Sequence, residues 1–346
     1  MLNTAAEDRK YMLRALKLAR LAWGKTSPNP MVGAVVVKNG NIVGEGYHHK
    51  AGTPHAEVHA LNAAGENAKG ATIYVTLEPC STYGRTPPCT EAIKKAGIKR
   101  VVAATEDFNG KHAGNGFTIL RDAGIEVKVG VCRKDAQELN KAFFSHIVRK
   151  RPYVLLKMAM TLDGKIATAS GDSKWITGTA ARQRVQELRR WCDAIMVGGE
   201  TMRLDRPGLI VREPEDWQDQ PQKIIFTRRD QAAVQQEFFP GDPTVMTAAP
   251  QNRAQWLELL TDLAEKNIMA LLLEGGGGLA ASALQNKIVD EVEFHIAPKL
   301  LTGRNSRSVV GGCDPLKLAE ALDLDKFQVR RAGRDLILSG KVKYRD

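Results

Sequence analysis

Cysteine is scarce in this 346-residue chain: Cys80, Cys89, Cys132, Cys192 and Cys313 are the five present. An odd, sparse set excludes a disulfide framework and leaves metal binding or simple burial. Long apolar runs are absent too, so no segment is suited to span a bilayer. Met1 to Lys10 is polar and lacks the apolar stretch of a signal peptide, and a cytoplasmic location is expected. There is no internal repeat and no long basic tail. The composition, 43% apolar and 26% charged, excludes disordered and fibrous classes. The length exceeds what one hydrophobic core usually supports, and two domains are expected.

The formal net charge is +11. Such a surplus suits anionic partners, whether nucleic acid, phosphorylated metabolites or phosphate-bearing cofactors, and equally suits a basic solvated surface. Because Lys and Arg are spread along the chain, the nucleic-acid reading is the weaker one.

Hydrophobic periodicity predicts a helix over Asp8–Gly24, from Met12, Leu16, Ala19 and Trp23. Met31–Val37 and Ile42–Tyr47 read as strands joined by a tight turn at Asn39-Gly40. Further strands are expected at Thr72–Leu77, Arg100–Ala104 and Ile125–Val129, with helices beginning near His55, Cys89 and Gly116. The pattern is a three-layer α/β domain. A helix over Asp135–Val148 runs into Arg149-Lys150-Arg151-Pro152, the best candidate boundary, giving domains over 1–150 and 151–346. The second half also alternates. Strands are expected at Tyr153–Ala159, Ala194–Val197, Lys223–Thr227, Ile268–Leu273, Glu291–Ile296 and Leu336–Tyr344, and helices at Thr179–Arg190, Asn252–Lys266 and Leu279–Gln285. The segment Arg212–Gln222 reads as a surface loop.

The strongest chemical signal is His55-Ala56-Glu57 followed by Glu78-Pro79-Cys80 and Cys89. One imidazole and two thiolates bind a tetrahedral zinc ion and leave its fourth position to water, whose pKa the metal lowers to about 7. Glu57, two residues from a ligand, is placed to shuttle protons between water and a leaving amine. H-x-E paired with P-C-x-x-C is the signature of zinc deaminases. Here eight residues, Ser81 to Pro88, separate the cysteines where that signature has two. The alternative is a closed structural zinc site or buried thiols, in which Glu57 has no role.

The insert contains Gly84-Arg85-Thr86-Pro87-Pro88. With Pro28-Asn29-Pro30-Met31-Val32-Gly33, Gly46-Tyr47-His48 and Pro54-His55-Ala56-Glu57, it closely resembles the deaminase half of the bifunctional riboflavin-biosynthesis deaminase/reductase family. The resemblance implies a cytidine-deaminase-like first domain in which His55, Cys80 and Cys89 bind zinc and Glu57 is the proton shuttle. Asn29 and His48 would lie along the pyrimidine, Arg85 would meet a ribose phosphate through paired hydrogen bonds, and Asn109 would touch the substrate. Thr82 stands where the family often has histidine, and Asp107-Phe108-Asn109-Gly110 replaces a more usual Asp-Pro-Asn-Pro.

In the second half, Leu271-Leu272-Leu273-Glu274 runs into Gly275-Gly276-Gly277-Gly278 and then a helix. Such a glycine run lets backbone amides approach a phosphate, but a simple tight turn explains it equally well. Leu156-Lys157, Leu162-Asp163-Gly164-Lys165, Ser170 to Thr177, Asp193 to Gly198 and Glu274-Gly275-Gly276 resemble the reductase half of the same family. That resemblance implies a dihydrofolate-reductase-like α/β fold using NADPH. Ala159, Trp175, Thr201, Asp205, Gly276, Gly277, Gly278, Leu279, Ala280, Ala281 and Ser282 would line the cofactor cleft. Arg228 and Arg229, which directly follow a predicted strand, are expected from that position to help hold the 2′-phosphate of NADPH. Ser173, Arg189, Leu209, Arg212 and Glu274 would face the substrate, and Lys157 would polarise or protonate the sugar.

The expected activity is hydrolytic deamination of 2,5-diamino-6-(5-phosphoribosylamino)pyrimidin-4(3H)-one, then NADPH reduction of its ribosyl group to ribityl. The expected partners are this phosphorylated pyrimidine and further copies of the chain, without nucleic acid or membrane. Two alternatives stand beside this: a nucleic-acid base deaminase, and a nucleic-acid-binding protein that uses zinc only for stability.

Overall fold

The computed structural model describes residues 4–83, 87–108, 113–227, 229, 234, 236–237 and 245–345. The chain divides into two compact units, Met1–Lys150 and Arg151–Asp346. Among the described residues no helix is long and apolar enough to cross a membrane.

The first unit opens on a reciprocal cap. The Thr4 hydroxyl accepts from the Glu7 amide at 3.2 Å and the Glu7 carboxylate accepts from the Thr4 amide at 2.8 Å. Helix α1 (Ala5–Ala19) therefore starts before the Asp8 expected from its apolar stripe, and it ends in a 3₁₀ turn, Arg20–Ala22. Strands β1 (Gly33–Lys38) and β2 (Asn41–Tyr47) form the expected hairpin. Asn39 and Gly40 both take the left-handed conformation that a two-residue hairpin turn requires, with φ of 51° and 78°. With β3 (Thr72–Val75), β4 (Arg100–Ala103) and β5 (Glu126–Val129) they make a sheet in the order β2-β1-β3-β4-β5, whose last three strands are parallel.

The middle strands are apolar on both faces because both faces are covered. Ala34, Val36, Ile73, Val75, Val101 and Ala103 face α2 (Ala56–Ala64), α3 (Cys89–Lys95) and α4 (Asn115–Asp122). Val35, Val37, Tyr74 and Val102 face α1 and α5 (Arg133–Leu139). Close approach is obligatory on both sides. A Cβ on Gly33 would stand 2.1 Å from the Ala15 carbonyl oxygen, and one on Gly44 would stand 2.2 Å from that of Ala60.

The single helix expected over Asp135–Val148 is instead two, α5 and α6 (Lys141–Arg149), broken at Asn140. Its side chain accepts from the Met31 amide at 2.8 Å and donates to the Met31 carbonyl at 2.9 Å, pairing as a strand would, and its φ of −108° is not helical.

The second unit is built on an eight-stranded sheet. Its strands are β6 (Tyr153–Thr161), β8 (Ala194–Gly198), β9 (Gln222–Phe226), β10 (Val245–Thr247), β11 (Ala270–Glu274), β12 (Glu291–Ala297), β14 (Asp323–Ala332) and β15 (Asp335–Lys343). Their spatial order is β10-β9-β8-β11-β6-β12-β15-β14, parallel from β10 to β12 and antiparallel thereafter. Strands β7 (Lys165–Ala167) and β13 (Arg307–Ser308) form a separate ribbon. Alternate residues of the central strands, among them Val154, Leu156, Met196, Leu271 and Leu273, pack in one core with Trp256, Leu260 and Leu263 of α9 (Arg253–Glu265) and Ala280 of α10 (Gly277–Gln285). The opposite face, on the side of α7 (Thr179–Trp191), carries charge. The register sets Glu274 of β11, Lys157 of β6 and Glu293 of β12 in line across three neighbouring strands. Helix α8 (Gly199–Asp205) follows β8 directly. Four strands were not legible as such in the sequence, namely β7, β10, β13 and β14, and nor was α8.

Candidate active sites

In the first unit helix termini assemble the cluster. His55 is the N-cap of α2 and Cys89 is the first residue of α3, so both sit at the positive end of a helix dipole, where a thiolate is favoured. Cys80, on the segment after β3, lies between them. The His55 Nδ1 is 3.2 Å from the Cys89 Sγ and 3.4 Å from the Cys80 Sγ, and all three ligand atoms lie within 4.8 Å of one another. Tetrahedral zinc with bonds of about 2.0 Å to nitrogen and about 2.3 Å to sulfur sets nitrogen and sulfur about 3.5 Å apart. The three donors fit that ion with one coordination position to spare. The Cys80 thiol is drawn down to about 4, first by the hydrogen bond it takes from the Cys89 thiol and then by His55; the Cys89 thiol, holding the shared proton in a buried position, is pushed up.

Glu57, in the first turn of α2, is 3% exposed, and its Oε2 has no hydrogen-bond partner. Burial raises its pKa to about 7, and the neighbouring Cys80 adds to this. An orphaned carboxylate oxygen beside an open ligand position fits a reacting water and has no use in a closed structural site. His48, 2% exposed, donates from Nδ1 to the Pro54 carbonyl at 3.2 Å, and its Nε2 accepts from the Asn29 amide at 3.1 Å. Burial lowers its pKa and keeps it neutral. Its ring meets that of His55 edge-on at 5.4 Å, which brings Asn29 and His48 beside the cluster. Arg85 and Asn109 lie outside the described residues.

Glu78 is a contributor that sequence reasoning passed over. Its carboxylate accepts from the amides of Asp107, Gly114 and Gly116 at 3.1, 3.0 and 2.9 Å. The Glu-Pro-Cys element is thereby tied to the start of α4. A Cβ on Gly116 would stand 2.3 Å from the Pro79 carbonyl oxygen. The available signal was the acidic residue next to Pro79-Cys80 in an otherwise apolar run.

In the second unit a cavity of about 520 Å³ opens on the charged face of the sheet. Lys157, Ala159, Ser173, Trp175, Arg189, Thr201, Asp205, Leu209, Arg212, Glu274 and Gly276 all line it. Arg189 of α7 clasps Glu274, with Nη2 2.7 Å from Oε2 and Nε 3.4 Å from Oε1. Burial opposes ionisation of Glu274, but Arg189 and Lys157 outweigh it and hold its pKa low. Lys157 has its own pKa lowered by burial, a shift that Glu274 partly offsets. The Ser173 hydroxyl donates to Asp205 at 2.6 Å.

A second cavity, of about 1220 Å³, shares Ser173, Thr201, Asp205 and Gly276 with the first and adds Gly277, Gly278, Leu279, Ser282 and Arg229. The glycine run is more than a turn. Gly275 and Gly276 are left-handed, and a Cβ on Gly277 would stand 2.6 Å from the Ser308 carbonyl oxygen. Gly276 caps α10 without a side chain, so the amides of the first helical turn face this second space. That is the arrangement a cofactor phosphate needs. Ala280 and Ala281 are absent from both linings: they are 0% and 3% exposed, and helical spacing turns Ala280 into the core. Arg228 lies outside the described residues.

Sequence reasoning also missed the buried pair under Lys157. Glu293 is held by Arg184 at 3.1 and 3.0 Å and by the His295 Nε2 at 2.8 Å. Glu293 is 2% and His295 0% exposed. Charged residues alternating along a strand that reads as central in a parallel sheet were the signal.

The model "Cytidine and deoxycytidylate deaminase zinc-binding region" matches residues 5–105, and "RibD C-terminal domain" matches residues 152–338. The riboflavin biosynthesis protein RibD of Aquifex aeolicus is 45% identical, over 96% of this chain and 97% of its own; that of Escherichia coli is 41% identical, over 96% and 98%. Among solved structures, Acinetobacter baumannii RibD superposes with a TM-score of 0.89 at 39% identity, over 99% of this chain and 100% of that one. The Thermotoga maritima diaminohydroxyphosphoribosylaminopyrimidine deaminase/5-amino-6-(5-phosphoribosylamino)uracil reductase superposes at 0.85 with 34% identity, over 98% and 99%. Relatedness of this extent, running through both units, establishes that the chain belongs to the RibD family of riboflavin biosynthesis proteins.

Proposed function

We propose that unit 1–150 hydrolyses the 2-amino group of 2,5-diamino-6-(5-phosphoribosylamino)pyrimidin-4(3H)-one and that unit 151–346 then reduces the ribosyl group to ribityl with NADPH. The observation that carries the reading is the triad His55, Cys80 and Cys89 with the unpartnered Glu57 Oε2 beside it. His55, Cys80 and Cys89 would hold zinc, which when bound supplies an activated water. Glu57 takes a proton from the attacking side and returns it to the departing amine. Asn29 and neutral His48 offer an amide and an imidazole edge to the pyrimidine, and Arg85 and Asn109 complete the contacts to the substrate.

In the second unit NADPH, when bound, supplies hydride. The amides at the start of α10 and the side chains of Thr201, Ser282, Arg228 and Arg229 hold its phosphates, and Ala159 and Trp175 border the nicotinamide end. Glu274, fixed by Arg189, accepts from the pyrimidine, while Ser173, Leu209 and Arg212 shape the remainder. Lys157 holds a proton toward the sugar. Phosphorylated ligands in both units account for much of the positive charge. Family membership disfavours both a nucleic-acid base deaminase and a zinc-stabilised nucleic-acid-binding protein. The purified protein, given the diaminopyrimidine phosphate and NADPH, should release ammonia and oxidise NADPH. Lys157→Ala should lower the second activity and spare the first; loss of both with the fold intact contradicts the assignment of chemistry to units.

A further inference from the structure

Lys157 has a carboxylate on each neighbouring strand. Glu274 of β11 is its register partner on one side and Glu293 of β12 on the other, and neighbouring strands lie about 4.8 Å apart. Glu274 lines the cavity with Lys157, whereas Glu293 is 2% exposed and lines neither cavity. Arg184 donates to Glu293 at 3.1 and 3.0 Å, the His295 Nε2 at 2.8 Å and Arg330 at 3.3 Å. A buried carboxylate–arginine pair of this kind adds little stability over well-packed apolar side chains. Stability therefore does not explain why the middle of a central strand carries a charge.

These partners leave Glu293 with net negative charge. Burial holds His295 neutral, so it donates a hydrogen bond without adding charge, and its Nδ1, which has no partner, is the unprotonated nitrogen. Arg184 is shared with Glu187 at 2.8 Å, and Arg330 reaches in from an exposed position where water screens it. Lys157 needs such a neighbour. The side chains lining the cavity with it include five further cations, Lys174, Arg182, Arg189, Arg206 and Arg212, against three carboxylates, Asp205, Glu213 and Glu274. That surplus suits a phosphorylated ligand but works against a protonated lysine, as burial does; Glu274 and Glu293 are the charges that offset it. We propose, on the reading in which Lys157 holds a proton toward the sugar, that Glu293 is a positioning residue for the reduction: the second carboxylate that keeps the Lys157 ammonium charged and in place, itself fixed by Arg184 and His295.

The test is competitive acetylation of the Lys157 amine across pH with acetic anhydride, read by mass spectrometry on the protein without substrate or NADPH, at a temperature where circular dichroism shows each variant folded. At an effective dielectric constant of about 20, one charge on a neighbouring strand is worth on the order of one pH unit. Glu293→Gln should therefore lower the midpoint of Lys157 by at least about half a pH unit, and the alkaline limb of NADPH oxidation should follow it toward neutrality. Arg184→Met breaks the same buried pair but leaves the carboxylate charged, so it should raise the midpoint or leave it in place. An unmoved midpoint in Glu293→Gln, or a lowered one in both variants, would overturn the proposal. A lowered midpoint with an unmoved alkaline limb would overturn instead the proton-holding role of Lys157.

Discussion

Glu274, itself buried, stands between two half-buried cations, Arg189 and Lys157, which makes Glu274→Gln the most informative change in the second unit. The amide keeps the shape and removes the charge. Arg189 then keeps one hydrogen-bond acceptor where it had a bidentate carboxylate, and Lys157 loses the largest influence that offsets its burial. Breaking a buried pair by removing one partner costs about 3–5 kcal/mol. In a unit of this size each kcal/mol lowers Tm by about 2–4 °C, so calorimetry should show the transition of the second unit falling by at least about 6 °C. Lys157 would also lose its proton at lower pH than in the wild type. The alkaline limb of NADPH oxidation should therefore move toward neutrality while ammonia release is unchanged. A Tm drop under about 2 °C together with an unmoved alkaline limb would refute the electrostatic argument.

Gly116→Ala forces a methyl against the Pro79 carbonyl oxygen, where 2.3 Å is available, and so must displace the segment carrying Cys80; zinc affinity and ammonia release should fall at least about tenfold, as for lost outer-shell support, with NADPH oxidation retained. Glu293 has its pKa held at about 2 because the hydrogen bonds from His295 and Arg184 outweigh its burial. A depressed carboxyl contributes stability that is present above its ordinary value of 4.5 and is lost as pH falls from there toward 2. Glu293→Gln should consequently flatten the decline of Tm between pH 5 and pH 3 in the second unit, measured by circular dichroism, at the cost of a lower Tm at neutral pH.

The cluster of His55, Cys80 and Cys89, the carboxylate of Glu57 beside it and the central strands were legible because each combines a residue type with a spacing that has few other uses. His-x-Glu on a helix start and two cysteines beyond a strand speak for one chemistry, and buried parallel strands are continuous apolar runs. What escaped was fixed by contacts distant in sequence. Asn140 breaks its helix through hydrogen bonds to Met31, 109 residues away, and no local pattern announces that. Strand β14 reads Asp-Leu-Asp-Lys-Phe-Gln-Val-Arg-Arg-Ala, without the apolar alternation of a strand whose face is buried, because most of it is exposed. Glu78 follows a strand that was expected and the Glu293–His295 pair sits on another, yet their roles depend on which neighbours the fold supplies. The glycine run after Glu274 was ambiguous by itself and becomes specific only when Ser308 is found against Gly277.

Metal content measured together with ammonia release, in the wild type and in Glu57→Gln, decides whether His55, Cys80 and Cys89 hold a catalytic zinc beside Glu57. One zinc per chain is expected in both proteins, with ammonia release from the wild type alone. An active wild type without zinc, or a Glu57→Gln protein that deaminates at the wild-type rate, would contradict it.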